Sequence, residues 1–234
     1  MHKKNPQFKP PDDENAKIWR YMSFDSYKDM LSSSCLYFCE GNKLKKKDPY
    51  EGSYLSFELL KKVSLKDAVE FANKMKSCGP SIRVNCWHLN DFESVAMWKI
   101  YGKAVALQST YKRLVEALRK CPCAVRVGEV SYIVPGKESF KTEGPETVFV
   151  PWLHKHRGFA YERELRAVIW ETDDMPVMDD GSVLAPVDLV TLIEAVYVSP
   201  MTTSDVKGKV EKINKEYGVM APFFQSELAY IPPY

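Results

Sequence analysis

The apolar residues of this chain fall into short runs, and these runs are separated by helical patterns of unequal length. Runs rich in aromatic and β-branched residues predict strands at IWRYM (18–22), CLYFC (35–39), IRVNCW (82–87), AVALQS (104–109), AVRVGEVSYI (124–133) and LRAVIW (165–170). Helical patterns follow some of these runs and not others, so the chain lacks the steady rhythm of a doubly wound fold. We predict an α+β fold with a mixed, largely antiparallel sheet core and flanking helices.

Several local signals predict where these elements begin and bend. Ser23 and Thr110 each precede a helical pattern and are typical helix caps. Asn90 with Glu93 three residues later forms a capping-box pattern before a helix at 93–101. Gly128 interrupts a strand pattern and predicts a β-bulge.

The amino-acid composition and the lack of a linker favour one globular unit. Residues 1–15 are polar and rich in proline, which predicts a flexible arm, and no linker divides residues 16–234, which we expect to form a single α+β domain. Apolar residues make up 45% of the chain and charged residues 27%, as in ordinary globular proteins. The formal net charge of +2 does not point to an anionic partner.

No segment has the pattern of a targeting or membrane-spanning sequence. The N-terminal residues contain no apolar core of a secretory signal, and apolar stretches such as AVAL (104–107) are far shorter than the ~20 residues of a membrane helix. We therefore expect a cytoplasmic protein without a membrane partner. Its six cysteines are then reduced structural thiols, and Cys121-Pro-Cys123 is too tight for a zinc site, so no metal is expected.

The sequence signatures of several enzyme classes are absent. The chain contains no G-x-G, no G-K-[ST], no G-x-S-x-G and no H-E-x-x-H. These patterns mark dinucleotide-binding folds, phosphate-binding loops, α/β-hydrolases and zinc proteases. A candidate site must therefore be sought among polar residues in apolar surroundings.

Arg20 is the first such residue, because it lies inside the aromatic strand IWRYM. A buried arginine is costly unless it meets an anion, and its planar fork suits phosphate or carboxylate. The alternative is an edge-strand arginine whose charged end reaches water. The neighbouring Tyr21 points to the opposite face of the strand.

Two further segments combine polar and aromatic residues. The loop Asp48-Pro-Tyr-Glu-Gly52 is either a functional loop or only a capped turn. The segment ESVAMWKIYG (93–102) places Trp98 and Tyr101 at helical spacing, where core packing is the alternative to ligand contact.

Glu162 and Glu164 precede the strand LRAVIW, and strand alternation would place them on one face with Arg163 on the other. Two such carboxylates repel each other unless a cationic or hydroxyl group lies between them. The pair suits a site that binds ribose and stabilises a cation. The alternative is a solvated edge strand.

Six segments occur in an order that resembles one bacterial family: RYMSF, LYF, DPYEG, CWH, ESVAMWKIYG and YERELRAVI. It is the domain-of-unknown-function family numbered twenty-nine seventy-one, and the resemblance runs from about residue 18 to 200. The family label names no activity.

The chain also resembles mono-ADP-ribosyltransferases of the R-S-E type, through Arg20 on an early strand, Ser109-Thr110 on a middle strand and Glu162-Arg163-Glu164 before a late strand. The middle element is Q-S-T here instead of S-T-S. This resemblance implies an enzyme that uses NAD as a substrate, with a toxin or phage-defence role. It implies that Arg20 holds phosphate, that Ser109 and Thr110 shape the nicotinamide-ribose pocket, and that Tyr21, Trp98 and Tyr101 supply stacking surfaces. Glu164 would stabilise the ribosyl cation, and Glu162 would orient or deprotonate an acceptor.

The chemistry is compatible with the missing motifs, since cleavage of the nicotinamide–ribose bond needs a carboxylate beside an oxocarbenium-like centre and no metal. The acceptor, protein or nucleic acid, and the oligomeric state stay open. One alternative is a nuclease, in which KLKKK (43–47) with Tyr50 and Tyr54 would follow a phosphate backbone. Another is a non-catalytic nucleotide-binding or antitoxin module.

Overall fold

The strands of the protein alternate irregularly with helices, as the sequence predicts. In the computed structural model, the described residues are 7–46, 48, 51–52, 66, 69–70, 73, 77–101, 104–134, 137–138, 145–170, 174–202 and 204–229. The strands with described bounds are β1 (Lys17–Met22), β2 (Cys35–Glu40), β3 (Ile82–Leu89), β4 (Val105–Thr110), β5 (Val125–Glu129), β6 (Ser131–Ile133), β7 (His154–His156), β8 (Glu164–Trp170), β9 (Val183–Pro186), β10 (Ala195–Val198) and β11 (Phe223–Gln225).

The α-helices with described bounds are α1 (Phe24–Ser33), α2 (Gly41–Leu44), α3 (Val95–Ile100), α4 (Tyr111–Ala117), α5 (Leu189–Leu192) and α6 (Ser204–Glu216). Short 3-10 helices include Pro145–Trp152 and Arg157–Glu162. Of the strand pairs whose register is described, β10–β11 and β6–β7 are parallel and the other five are antiparallel. The predicted α+β class is confirmed. None of the described helices has the length and apolarity that crossing a membrane requires.

The chain divides into two compact units, and each is assembled from three chain segments. The first unit contains residues 1–10, 37–86 and 122–184, and the second contains 11–36, 87–121 and 185–234. The single domain predicted for residues 16–234 stays a prediction.

The second unit is built on β1, β4 and β10. Antiparallel β1 and β4 pair Ile18 with Ser109 and Arg20 with Leu107, and antiparallel β10 lies on the other side of β4. Cross-strand partners share a face of a sheet, so Arg20 and Ser109 lie on one face of these two strands. On α1, the buried Tyr27 donates a hydrogen bond of 2.7 Å to Asn214 on α6, which ties these two helices together.

The first unit is built on β8, which pairs antiparallel with β5 and also pairs with β3. The short parallel pair β6–β7 forms a separate two-stranded sheet with Tyr132 opposite Lys155. A core of buried side chains packs on these strands and consists of Phe8, Ile82, Val84, Phe149, Trp152, Leu153 and Val168.

The predicted helix caps are confirmed at two of three positions. Ser23 accepts the Ser26 N–H at 3.1 Å, and Thr110 accepts the Arg113 N–H at 3.2 Å. The prediction at Asn90 and Glu93 is wrong, because Ser94 caps α3 through the Met97 N–H. The Glu93 carboxylate instead accepts from Trp98 Nε1 at 2.8 Å, which is a side-chain bond that the capping-box pattern does not anticipate.

Two details of the first unit differ from the sequence-based expectation. Phe8 belongs to the segment predicted as a loose arm, yet it is buried and its ring packs edge-on against Phe149 at 5.4 Å. Gly128 was predicted to mark a bulge, but it pairs with Arg166 in the regular β5–β8 ladder. A Cβ on Gly128 would lie 2.7 Å from the Cα atom of Phe8, so the glycine permits a close backbone approach.

We predict that Gly128→Ala lowers the free energy of unfolding by about 1–3 kcal/mol, because the added methyl group must displace the Phe8 backbone. Urea denaturation followed by tryptophan fluorescence measures this change. Gly208→Ala is the control, since a Cβ there meets nothing within 4 Å, and in a helix interior it should stabilise by about 0.5–1 kcal/mol. Equal unfolding midpoints for Gly128→Ala and the wild type would contradict the close approach.

Candidate functional site

The first unit contains a cluster of five buried charged side chains, which we call the acid cluster: Glu51, Lys155, Glu162, Glu164 and Arg166. None of them is more than 9% exposed. Buried charges are rare in proteins unless they are paired and hydrogen-bonded, so the cluster is the first place to look for function.

Arg166 is the centre of the acid cluster and is 0% exposed. Its Nε donates to Glu164 Oε2 at 2.7 Å, its Nη1 donates to the carbonyl oxygen of Trp152 at 2.8 Å, and its Nη2 donates to Glu51. Burial by itself lowers the pKa of Arg166, but the charges of Glu164 and Glu51 raise it well above its ordinary value. The guanidinium therefore stays charged and holds two carboxylates in place.

Lys155 is the second cation of the acid cluster. Its ammonium group bonds to Glu162 and lies 3.6 Å from Glu51 Oε1 and 3.6 Å from Glu164 Oε1. Burial by itself lowers the pKa of Lys155, but the negative charges of Glu164 and Glu51 outweigh burial and raise it. With both cations charged, three carboxylates face two cations, and the five residues carry a formal charge of −1.

Glu164 is ionised despite its burial. Burial alone would raise its pKa, but the neighbouring charges of Arg166 and Lys155 and a hydrogen bond from Cys86 lower it below the ordinary value. Cys86 is a neutral donor, because burial raises the pKa of its thiol to about 12. The Glu164 carboxylate is thus a fixed negative charge in a site with little water, where electrostatic interactions are strong.

Tyr132 borders the acid cluster from β6. Its hydroxyl oxygen accepts a hydrogen bond of 2.7 Å from the backbone N–H of Glu164. Burial raises the pKa of Tyr132 far above its usual range, so the phenol is protonated at every physiological pH.

Two unusual backbone positions bring the carboxylates together. Gly52 has a φ of +68°, and a Cβ there would lie 2.4 Å from the Trp152 ring, so only glycine lets the turn carry Glu51 against this tryptophan. Arg163 also adopts the left-handed region with a φ of 38° and separates the 3-10 helix Arg157–Glu162 from β8. These two turns position Glu51 and Glu162 beside residues of β8.

The structure corrects the expected reason for the Glu162–Glu164 pairing. Glu162 ends a 3-10 helix, so strand alternation does not place it beside Glu164. The two carboxylates are instead held together by Lys155, which contacts both. A solvated edge strand is excluded as well, since Glu162 is 2% exposed and β8 lies between β5 and β3.

The second unit contains the other predicted site residues. Arg20 is half-buried, and its guanidinium carbon lies 6.0 Å from the centroid of the Trp87 ring. Ser109 is 0% exposed and donates its hydroxyl proton to the carbonyl oxygen of Leu192 at 2.6 Å. Ser109 and Arg20 share one face of β1 and β4, and the Ser109 hydroxyl proton is used within the protein.

The predicted aromatic residues lie on the other face of β1 or beside it. Tyr21 packs edge-on against Trp98 at 4.9 Å and accepts the Ser94 N–H at 2.8 Å. Trp98 is only 1% exposed, as the core-packing alternative predicts, whereas Tyr101 is half-buried. The structure therefore brings Tyr21, Trp98 and Tyr101 together, and it brings Arg20 and Ser109 together on the opposite face.

Sequence reasoning missed four residues of this site: Glu51, Lys155, Arg166 and Tyr132. Two of them belong to segments that the sequence singled out, namely DPYEG (48–52) and YERELR (161–166). Their meeting could not be read from the sequence, because Arg166 and Glu51 are separated by 115 positions. Among the described residues no group of His, Cys, Asp and Glu could hold a metal ion, and all six cysteines are free.

No family model matches the sequence, and no curated protein matches it. The resemblance to the domain-of-unknown-function family therefore has no support from a family model. Among solved structures, Thermus sp. 2.9 DarT in complex with NAD+ is 12% identical with a TM-score of 0.41, covering 94% of this chain and 99% of that chain. The same protein in complex with carba-NAD+ is 13% identical with a TM-score of 0.40, covering 92% and 97%. At these TM-scores the likeness decides neither the fold nor the function of this chain.

We predict that Arg166→Met lowers the free energy of unfolding by about 3–5 kcal/mol near neutral pH, because it removes the hydrogen-bonded cation from two buried carboxylates and leaves only Lys155 beside them among the described residues. Arg157→Met is the control, since Arg157 forms an exposed pair with Glu138 that is worth less than about 1 kcal/mol. Urea denaturation of both variants measures the difference.

The same comparison has a defined pH dependence. The pKa of Glu164 is lowered in the folded protein from its ordinary value of 4.5, so its stabilisation is complete above that value and is lost as the pH falls through the folded pKa. The destabilisation caused by Arg166→Met should therefore shrink on acidification below 4.5. If Arg166→Met destabilised the protein equally near neutral pH and below pH 4.5, the ionised state of Glu164 would be contradicted.

Proposed function

We propose that this chain is an ADP-ribosyltransferase-like enzyme that uses NAD as its donor substrate. The observation that supports it most is the acid cluster, in which an ionised and nearly dry Glu164 belongs to a group of five residues with a formal charge of −1. The nicotinamide ring of NAD is cationic, and the ribose becomes cationic when the ring leaves. A preorganised negative charge beside C1′ stabilises the ribosyl cation that forms as the neutral ring departs.

The reaction uses no metal and one fixed carboxylate. The bond between ribose C1′ and the nicotinamide nitrogen breaks, and its electron pair neutralises the departing ring. The oxocarbenium-like ribose that results is stabilised by the Glu164 carboxylate, and an acceptor nucleophile then forms a bond to C1′ and loses its proton. Arg166 keeps Glu164 in position and ionised throughout.

Glu162 has the role of the acceptor-side residue in this proposal. Its carboxylate is bound to Lys155, so it takes an acceptor proton only if that contact loosens. Glu162→Gln should therefore reduce transfer to an acceptor more than hydrolysis of NAD, in which water is the nucleophile.

The transferase resemblance assigns the binding roles to residues of the second unit, and these assignments stay predictions. Arg20 binds the pyrophosphate in this proposal, because its half-buried planar fork suits an anion. Tyr101 offers the accessible aromatic surface, and Tyr21 and Trp98 support it from the core. Ser109 and Thr110 act by fixing the chain, the first through Leu192 and the second by capping α4.

The nucleic-acid alternative receives no support from the basic loop. Lys43 bonds to Asp180 at 2.7 Å, and the Lys45 ammonium lies 5.5 Å from the centroid of the Trp152 ring. Lys47, Tyr50 and Tyr54 lie outside the described residues. NAD+ is the ligand of the DarT structure reported above. A toxin or phage-defence role is part of this proposal and rests on the sequence resemblance to the transferases alone.

The function is tested by incubating the purified protein with NAD labelled in the nicotinamide and in the adenylate moiety. Release of nicotinamide or transfer of the adenylate label supports the proposal. Cleavage of nucleic acid without NAD would support the nuclease alternative, and binding of NAD without turnover would support the non-catalytic module.

Glu164→Gln keeps the side-chain volume and removes the charge, and we predict a loss of turnover of about 100-fold or more, equivalent to about 2.7 kcal/mol. The affinity for NAD should change little, since the interaction strengthens mainly in the transition state. Single-turnover nicotinamide release and calorimetric NAD binding measure the two effects.

Glu138→Gln is the matched control for this variant, because Glu138 belongs to the same unit but forms a largely exposed pair with Arg157. Its turnover should equal that of the wild type. Because Glu164 is paired inside the protein, the variant must also be shown to be folded at the assay temperature. A folded Glu164→Gln variant with wild-type turnover would refute the proposed role.

Arg20→Ala should weaken NAD binding by about 1.5–3 kcal/mol, as expected for a lost charge-assisted contact. Arg20→Lys should recover only part of this loss, because an ammonium group cannot make the two-pronged contact. Calorimetric titration with NAD measures both, with the exposed Arg119→Ala as control. An unchanged dissociation constant for Arg20→Ala would remove Arg20 from the binding site.

A further inference from the structure

The hydroxyl group of Tyr132 accepts one hydrogen bond within the protein and can still donate one. Its oxygen accepts the Glu164 N–H at 2.7 Å, while its proton is donated to none of the described residues. A phenol can accept and donate at the same time, so the proton is available to a further acceptor. Because the pKa of this phenol is raised by burial, the proton is retained over the whole physiological range.

The position of Tyr132 is fixed by its neighbours. It lies opposite Lys155 in the parallel β6–β7 pair, and Val130, two residues before it in the chain, donates its N–H to the Glu164 carbonyl oxygen at 2.9 Å. The segment that carries Tyr132 is thus tied through the backbone to the strand of Lys155 and to Glu164. Its side chain is only half-buried, so part of it is exposed to solvent.

We propose that Tyr132 donates a hydrogen bond to a ribose hydroxyl of the nucleotide whose C1′ atom faces Glu164. This inference rests on the proposed function, since it takes the ligand of the acid cluster to be a ribosyl donor. The chemistry of the site favours a hydroxyl partner. A ribose hydroxyl group both donates and accepts hydrogen bonds. The carboxylates of the acid cluster can accept its proton, and the uncharged Tyr132 phenol can donate a hydrogen bond to its oxygen.

A donor in this position would also couple substrate binding to the geometry of Glu164. The phenol oxygen holds the backbone N–H of the residue whose carboxylate stabilises the cation. A ribose hydroxyl bound to the phenol is therefore kept at a fixed distance from that carboxylate. Proximity of this kind lowers a barrier without adding charge.

The test combines Tyr132→Phe with NAD analogues that lack either the 2′ or the 3′ hydroxyl of the nicotinamide ribose. Tyr132→Phe should reduce kcat/KM for NAD roughly 3- to 10-fold, the value of a neutral hydrogen bond. One of the two deoxy analogues should show the same loss with the wild type and no further loss with Tyr132→Phe, because the partner is then already absent. Tyr37→Phe is the control, because it loses a hydrogen bond to Asp180 in the same unit. It should leave kcat/KM unchanged for NAD and for both deoxy analogues.

The outcomes separate the two proposals. If wild-type protein cleaves NAD but Tyr132→Phe loses the same factor with NAD and with both analogues, the tyrosine only supports Glu164 and the inference is wrong. Wild-type kinetics for Tyr132→Phe would overturn it as well, while leaving the enzyme intact. A folded wild-type protein that neither binds nor cleaves NAD would overturn both proposals.

Discussion

The hydrogen bonds that Arg166 donates to three partners are the interaction on which the first unit depends. One guanidinium group binds Glu51 from a turn, Glu164 from its own strand and a carbonyl oxygen of the 3-10 helix Pro145–Trp152. These three elements have no other charged group in common among the described residues. An arginine suits this role because its five donors lie in one plane and point in fixed directions, whereas a lysine is a flexible point charge.

The numbers of cations and carboxylates in the acid cluster also determine which chemistry it can support. If cations and carboxylates were equal in number, the cluster would be a neutral structural network that ligands have no electrostatic reason to enter. The third carboxylate changes this, because a buried excess of negative charge is costly until a positive charge approaches. If the proposed function holds, stability and catalysis make opposite demands on the same residues.

Local patterns in the sequence predicted much of the fold and less of the site. The strands β1, β3, β4 and β8 follow from short apolar runs, and the caps at Ser23 and Thr110 follow from residue type alone. Glu162 and Glu164 were recognised as a pair, but the left-handed turn at Arg163 cannot be foreseen, since arginine rarely adopts that conformation. The contribution of Glu51 was missed because long-range pairing leaves no periodic signal in a single sequence.

The near-complete burial of the acid cluster has a consequence for how the protein responds to ionic strength. Ion pairs on the surface, such as Lys17 with Glu194 or Arg157 with Glu138, lie within reach of dissolved counterions. Salt at physiological concentration screens charges beyond about 8 Å in water, but it cannot enter a space from which water itself is largely excluded. The protein thus has two groups of charges. Salt weakens the interactions of the surface charges, whereas the interactions around Arg166 are insulated from the salt concentration.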